Sequence, residues 1–142
     1  METSANGLNF IESNEGLVLT VKPDSGGKLV IGIGHDLLSG EFFLKGITVA
    51  RAWAILQSDV DKWDLAITDL GWQLTQNQWN ALSDFTHECG VEALEELAAH
   101  GVDQVCAQLP RWVHAKNAQG VEVVLPGMVA RREKEITLWN TP

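Results

Sequence analysis

Two carboxylates near the beginning of the chain have the types and spacing for acid–base chemistry. Glu15 lies where a helical pattern gives way to a strand pattern, and Asp24 follows nine residues later among turn-forming residues. A hairpin that folds back beside the first helix would bring both side chains to one cleft. Glycoside hydrolysis needs such a pair, one carboxyl group that protonates the leaving oxygen and one carboxylate that activates water or attacks. A plainer interpretation also fits, because Asp after Pro is common in turns and a Glu at a helix end is usually solvated.

Two histidines offer further candidate chemistry. His35 ends the run Gly-Ile-Gly-His, which lacks the spacing of a phosphate-binding loop. We therefore expect the glycines to allow close backbone packing and His35 to be a hydrogen-bonded structural residue. His87, Glu88 and Cys89 are consecutive, so on a helix their side chains point in different directions and cannot chelate one ion. We expect no metal site in this protein.

Aromatic and charged residues in the second half of the chain suggest two further assignments. The chain has six tryptophans and no tyrosine, and Trp112 follows an arginine beside a polar stretch. Its flat ring could stack on a sugar, with packing in the core as the alternative. The charged run from Arg131 to Glu135 has the composition of a solvated helix face. Cys89 and Cys106 are predicted to be free thiols, because two cysteines do not make a disulfide framework.

The elements that must position the two carboxylates are a short helix and a hairpin. Apolar spacing predicts a helix over residues 8–15. Two β-rich stretches, residues 17–22 and 28–33, flank turn formers at 23–27 and predict a hairpin. Such a loop would pair position 22 with 28 and position 20 with 30. Thr20 and Val30 would then lie side by side on one face of the hairpin.

The remainder of the chain has helical periodicity. Thr48 is predicted to cap a helix that extends to Ile67, and residues 75–78 fit a capping box for a helix that ends at Gly90. Further along, we predict short helices over 91–100 and 102–109, a polar, glycine-containing connection over 115–125, and a last helix over 126–139. The pattern predicts an α+β fold with a small N-terminal hairpin lobe, a larger helical lobe and a cleft between them.

Size and charge limit the class of protein. The chain has 142 residues, 45% of them hydrophobic, which suits one folded domain. Its formal net charge of −9 makes it a poor candidate for binding nucleic acid or an anionic membrane. The first residues contain no basic region, and no apolar run approaches the roughly 18 residues of a membrane span. We therefore expect neither a signal peptide nor stable membrane insertion.

Several segments of the sequence resemble those of one enzyme family. Residues 14–35, NEGLVLTVKPDSGGKLVIGIGH, resemble the catalytic segment of the phage-type lysozymes (endolysins) of glycoside hydrolase family 24. In that family a Glu-Gly pair opens the segment, an Asp or Cys follows nine residues after the Glu, and Thr-Ile-Gly-x-Gly-His closes it. Residues 74–90, LTQNQWNALSDFTHECG, are similar to the family's central helix. Residues 111–112 and 125–133 resemble its Arg-Trp and Pro-Gly-x-x-x-Arg-Arg-x-Glu motifs, and the similarity extends over residues 10–139.

The resemblance implies a fold, an activity and roles for particular residues. It implies a single lysozyme-like domain over residues 1–142, with a β-lobe at about 15–36 and a helical lobe at about 48–139 plus the N-terminal helix. It also implies a peptidoglycan muramidase that cleaves the β-1,4 bond between N-acetylmuramic acid and N-acetylglucosamine without a cofactor. Position by position, Glu15 corresponds to the general acid, Asp24 to the carboxylate that positions or activates water, and His35 to a structural histidine.

One departure from the family pattern concerns the attacking water. Val30 stands where the family has a threonine whose hydroxyl helps to hold that water. We therefore expect water activation to depend on Asp24, helped by a neighbouring polar group such as Thr20, Ser25 or Glu88.

A second departure concerns the substrate contacts. His87 and Glu88 stand where an aromatic residue followed by Asn or Gln is common, and the amide contacts sugar. We expect His87, Glu88 and Trp112 to line the substrate cleft.

These features leave two classes of function open. The first is an active muramidase, either a phage or prophage endolysin or a bacteriocin or effector domain, which acts as a monomer on peptidoglycan glycan strands. An endolysin without a signal anchor would stay in the host cytoplasm until a holin lets it reach the cell wall. The second is a lysozyme-like protein that binds glycan with weak or no catalysis. Val30, Glu88 and the acidic charge favour the second class, whereas the presence of both Glu15 and Asp24 favours the first.

Overall fold

The first lobe of the molecule is a helix followed by a small sheet. The computed structural model describes residues 1–24 and 26–142, so Ser25, a candidate helper in water activation, lies outside the described residues. Helix α1 (Ala5–Glu15) begins earlier than predicted because the Ser4 hydroxyl caps it, accepting a hydrogen bond from the Gly7 amide. Strands β1 (Val18–Pro23), β2 (Leu29–Gly32) and β3 (His35–Asp36) form an antiparallel sheet in that order. The predicted hairpin is confirmed, and β3 extends it.

The register of the hairpin differs from the prediction near the turn. Val30 pairs with Lys22 rather than with Thr20, because β1 bulges between Val18 and Lys22. Within the bulge the Leu19 carbonyl accepts a hydrogen bond from the backbone amide of Ile47, which lies outside the sheet. The prediction that Thr20 and Val30 are direct neighbours is therefore wrong, and Thr20 lines a separate groove beside residues 42–46.

The second lobe is helical and centres on one long buried helix. Its helices are α2 (Val49–Asp69), α3 (Gln76–Cys89), α4 (Val91–Ala98), α5 (Val105–Gln108) and α6 (Pro126–Trp139). Thr48 caps α2, and Thr75 with Gln78 forms the predicted capping box of α3. Because α3 packs against α1, α2, α4 and α6, most of its residues are buried.

A second hairpin occupies the polar connection before the last helix. Strands β4 (His114–Lys116) and β5 (Glu122–Val124) are antiparallel, and the sequence pattern over 115–125 did not predict them. Asn117 Oδ1 accepts two backbone N–H groups of the turn, and Gly120 has a φ of 75°. Strands of three residues are too short for their alternation to be recognised in a sequence.

A small apolar cluster joins the two lobes. Ile11 of α1, Ile33 after β2, and Leu56 and Val60 of α2 pack together and are almost fully buried. This contact fixes the C-terminal end of α1 against the hairpin, and therefore fixes the relative positions of the side chains between the lobes. No helix within residues 1–24 and 26–142 is both long and apolar enough to cross a membrane.

Candidate active site

Glu15 lies at the C-terminal end of α1, between the lobes. Its side chain is 20% exposed. The Oε1 atom accepts a hydrogen bond from Arg131 Nη1 at 2.6 Å. No hydrogen bond from the described residues reaches Oε2, so the two oxygens of this carboxyl group have different surroundings.

Gly34 packs against the same carboxyl group. Its φ is 66°, and a β-carbon placed on it would lie 2.7 Å from Glu15 Cδ and 2.8 Å from Glu15 Oε2. Only a glycine lets the backbone adopt this conformation and approach the carboxyl group so closely. The prediction that these glycines serve close backbone packing is confirmed, and the group packed against Gly34 is Glu15.

Asp24 lies at the turn end of the hairpin, and its side chain is exposed. The Oδ1 atom accepts hydrogen bonds from the amides of Gly26 and Lys28, both at 2.8 Å. These two bonds hold the carboxylate against the turn. Within the described residues no hydrogen bond involves Oδ2, which is the oxygen open to solvent.

Adjoining cavities between the lobes bring the two carboxylates to a common space. The central cavity, of about 850 Å³, is lined by Glu15 and Asp24 together with Glu88 and residues of α6. The hairpin cavity, of about 420 Å³, is lined by Glu15, Asp24 and Glu88 together with Val30 and other residues of the sheet. These cavities form the cleft that the sequence predicts between the lobes.

A buried arginine anchors Glu15 to the helical lobe. Arg131 Nε and Nη2 donate to the two carboxylate oxygens of Asp84 at 2.9 and 2.8 Å, and Nη1 donates to Glu15. Burial by itself would lower the pKa of Arg131, but the charges of Asp84, Glu15 and Glu88 outweigh it and the pKa is raised. The guanidinium group is therefore a permanent positive charge next to Glu15.

The prediction that residues 131–135 form a solvated face is wrong at three positions. Arg131, Arg132 and Glu135 are buried, because this side of α6 packs against α3. Sequence reasoning also missed Asp84, which is fully buried. Local spacing gave no signal for this burial, because Asp84 shares its helix face with Asn80, His87 and Glu88 and therefore has the pattern of a solvated residue.

Glu88 belongs to the same cluster of charges. It is hydrogen-bonded to Arg132 Nη2, which also donates to Glu135 Oε1 at 2.8 Å. Burial, followed by the charge of Asp84, raises the pKa of Glu135 well above its ordinary value. Glu135 therefore binds a proton more readily than an ordinary glutamate, and Glu88 is the second carboxyl group in contact with Arg132.

Trp112 packs against the core and also lines a cavity. Its ring packs edge-on against Phe85, with ring centroids 5.5 Å apart. It also lines the tryptophan cavity, about 430 Å³, together with Glu88 and Met128. Since Glu88 lines all three cavities and Met128 lines two of them, the tryptophan cavity continues the cleft beyond the two carboxylates.

His87 lines the hairpin cavity but uses both ring nitrogens inside the protein. Nδ1 accepts from Trp63 Nε1 at 3.2 Å, and Nε2 donates to the Ile33 carbonyl at 3.0 Å. The partners fix the tautomer, because an indole N–H can only donate and a carbonyl can only accept. In this arrangement neither nitrogen is available for the substrate contact expected from the sequence.

His35 is buried behind the sheet. Its Nδ1 lies 2.5 Å from Asp59 Oδ2 and its Nε2 lies 2.9 Å from Glu41 Oε2. Burial acts to lower the pKa of His35, but the hydrogen bonds and charges of Glu41 and Asp59 outweigh it, and the pKa is raised. The ring therefore ties β3 to α2 and to the following loop, which is the arrangement of a structural residue.

The described residues contain no cluster of potential metal ligands, and the two cysteines are not joined in a disulfide. Among the residues that the structure describes, no group of three His, Cys, Asp or Glu side chains is arranged to hold a metal ion. Cys89 and Cys106 are free thiols, as predicted. Burial raises the pKa of the Cys89 thiol to about 11, so it is a poor nucleophile.

Known proteins resemble this chain over its whole length. Residues 12–135 match the family model described as phage lysozyme. An endolysin of Lactococcus phage c2 is 32% identical over 148 residues, which cover 100% of this chain and 62% of that relative. The muramidase domain of SpmX from Asticaccaulis excentricus is 30% identical, with a TM-score of 0.82 and 99% of both chains covered. An endolysin from Escherichia coli O157:H7 phage FAHEc1 is 27% identical, with a TM-score of 0.84 over 99% of this chain and 94% of that one.

The similarity is sufficient to assign the family. It covers only part of the length of the curated endolysins. The chain spans 62% of the length of the Lactococcus phage endolysin. The solved structures share its α+β architecture from end to end, which confirms the lysozyme-like fold. Because the family model matches most of its residues, the chain belongs to the phage lysozyme family.

Proposed function

We propose that this protein is a peptidoglycan muramidase that hydrolyses the β-1,4 bond between N-acetylmuramic acid and N-acetylglucosamine. The observation that carries the proposal is that Glu15 and Asp24 line the same two cavities. Each carboxyl group has one oxygen held by protein donors and one oxygen without such a donor among the described residues. Membership of the phage lysozyme family, and the relatives named as endolysins and a muramidase domain, support the same activity.

Glu15 is the general acid in this proposal. Its Oε2 carries the proton, because Oε1 already accepts from Arg131. The proton moves to the glycosidic oxygen as the bond between that oxygen and the anomeric carbon breaks. Arg131 then stabilises the carboxylate that remains, since its guanidinium group is held in place by Asp84 whether Glu15 is charged or neutral.

Asp24 activates the water that completes the reaction. The water oxygen bonds to the anomeric carbon and a water proton passes to Asp24 Oδ2, while Oδ1 stays fixed by its two backbone donors. Exchange of protons with solvent returns Glu15 to the protonated form and Asp24 to the ionised form. The bond broken, the bond formed and the two proton transfers account for hydrolysis without a cofactor.

Turbidity clearing of permeabilised Gram-negative cells tests the proposal. We expect Glu15→Gln to abolish clearing while its circular dichroism spectrum and Tm match the wild type. The matched control is Glu133→Gln, which makes the same charge change at an exposed position of α6. A Glu15→Gln protein that clears cells as fast as the wild type would refute the role of Glu15.

A glycan-binding protein with weak catalysis is the second candidate. Val30 favours it, because this residue presents methyl groups rather than a hydroxyl to the hairpin cavity beside Glu15 and Asp24. A wild-type protein that binds purified glycan strands but never clears cells would establish this second function.

We propose further that the active form is a monomer that stays in the host cytoplasm until a holin opens the membrane. Light scattering measures the first point, and expression with and without an inducible holin measures the second. Lysis that proceeds at the same rate without the holin would refute the export route.

A further inference from the structure

One nitrogen of Arg131, Nη1, faces two carboxylates. Nη1 donates to Glu15 Oε1 at 2.6 Å, and Glu88 Oε1 lies 3.5 Å from the same nitrogen. The remaining donors of Arg131 are used by Asp84, through both side-chain oxygens and its backbone carbonyl. The guanidinium group is therefore fixed, and only Nη1 is divided between Glu15 and Glu88.

Arg132 holds Glu88 in this position. Glu88 Oε2 is hydrogen-bonded to Arg132, whose side chain is 1% exposed and whose guanidinium carbon lies 5.1 Å from the centroid of the Phe85 ring. Arg132 also donates to Cys89 Sγ at 3.2 Å. These contacts keep the Glu88 carboxylate next to Arg131 Nη1 and allow Arg132 little freedom to move.

A general acid bound only to an arginine is held in its ionised form, which cannot donate a proton. A second carboxylate beside the same nitrogen offsets the positive charge felt by the first. We propose that Glu88 is a positioning residue that acts through Arg131 to keep Glu15 protonated for catalysis, an inference that rests on the proposed muramidase activity.

The other charged and titratable groups around Glu15 do not contact Arg131 Nη1. We expect their contacts to be unchanged when Glu88 is substituted. These groups belong to the hairpin and to helices α3 and α6, and they are Asp24, Asp36, Asp84, His87, Lys134 and Glu135. Of these, Glu135 approaches Arg131 only at Nε, at 4.0 Å. A change at Glu88 therefore alters the charge at Nη1 without altering the other groups.

The pH dependence of peptidoglycan hydrolysis tests this role. In Glu88→Gln we expect the alkaline limb of the rate profile to move to lower pH by about one pH unit, the usual effect of one close charge. Glu88→Asp keeps the charge, so its limb should stay near that of the wild type. Glu92→Gln, a change of the same charge at an exposed position in the first turn of α4, should leave the limb unmoved.

A second measurement does not depend on activity. Carboxyl carbon NMR of protein labelled at glutamate, with the Glu15 signal assigned by its loss in Glu15→Gln, follows protonation of this group directly. We expect the Glu15 signal to titrate at lower pH in Glu88→Gln than in the wild type. If the wild type does not hydrolyse peptidoglycan, the proposed function fails, and the NMR titration still decides the role of Glu88.

Three results would overturn the inference. The first is a Glu15 titration and an alkaline limb that do not move in Glu88→Gln. The second is an equal movement in Glu92→Gln, which would show a general effect of net charge. The third is a Glu88→Asp limb that moves as far as that of Glu88→Gln, which would show that side-chain packing rather than charge is responsible.

Discussion

Replacing Gly34 by alanine would test how closely the sheet controls the candidate acid. The new β-carbon would lie 2.7 Å from Glu15 Cδ, whereas ordinary contacts begin at 3.4 Å, so the carboxyl group must withdraw by about 0.7 Å. A displacement on the order of 1 Å in a reacting group costs about 10²-fold in rate. We therefore expect Gly34→Ala to lose about two orders of magnitude in peptidoglycan clearing.

Backbone strain must be separated from this displacement, because alanine at positive φ costs about 1–2 kcal/mol at any position. Gly71 provides the control, since its φ of 67° nearly equals the 66° of Gly34 but nothing lies within 4 Å of a β-carbon placed there. Both variants should lose similar stability, with a Tm lower by about 2–4 °C for each kcal/mol. Only Gly34→Ala should lose activity beyond what its unfolded fraction explains.

The assay is turbidity clearing at a temperature well below both melting transitions, with protein concentrations matched by absorbance. Equal activity in Gly34→Ala and Gly71→Ala would refute the reasoning, since it would mean that contact with Gly34 does not determine the position of Glu15.

Further predictions concern the buried charges and the missing hydroxyl. The pKa of His35 is raised above 6.5, so its ion pairs stabilise the fold at acid pH. This stabilisation is lost as the pH rises through the pKa that His35 has in the folded protein. Asp59→Asn should therefore flatten the decline of the unfolding free energy above about pH 6.5. The raised pKa of Glu135 likewise favours folding below about pH 4.5 and lowers the unfolding free energy as the pH rises. Glu135→Gln should therefore remove this pH dependence of the unfolding free energy, measured by urea melts at pH 4 and pH 8, without reducing stability at pH 8. Val30→Thr places a hydroxyl in the hairpin cavity and should raise the clearing rate, on the order of 10²-fold, without raising the Tm; a slower variant would contradict the assigned role of that position.

The elements that carry the candidate site could largely be predicted from local sequence. Thr48 and Thr75 begin helices because their hydroxyls satisfy the first free amides, and Gly90 ends one because it adopts a φ of 86°. The hairpin follows from β-rich segments on either side of Pro23-Asp24. These signals act over a few residues, so they are visible without knowledge of the fold.

Tertiary structure decided the partners of those residues. The bulge that separates Thr20 from Val30 depends on a loop amide more than twenty residues away. Local sequence predicts Arg131 and Arg132 to be surface residues. They are buried because α6 packs on α3, where Asp84 is also buried. Contacts between distant segments are not encoded in local spacing, because they depend on which faces of the helices pack together. Sequence therefore determined which carboxylates are candidates, whereas the fold determined which oxygen of each accepts the observed hydrogen bonds and which charges lie beside it.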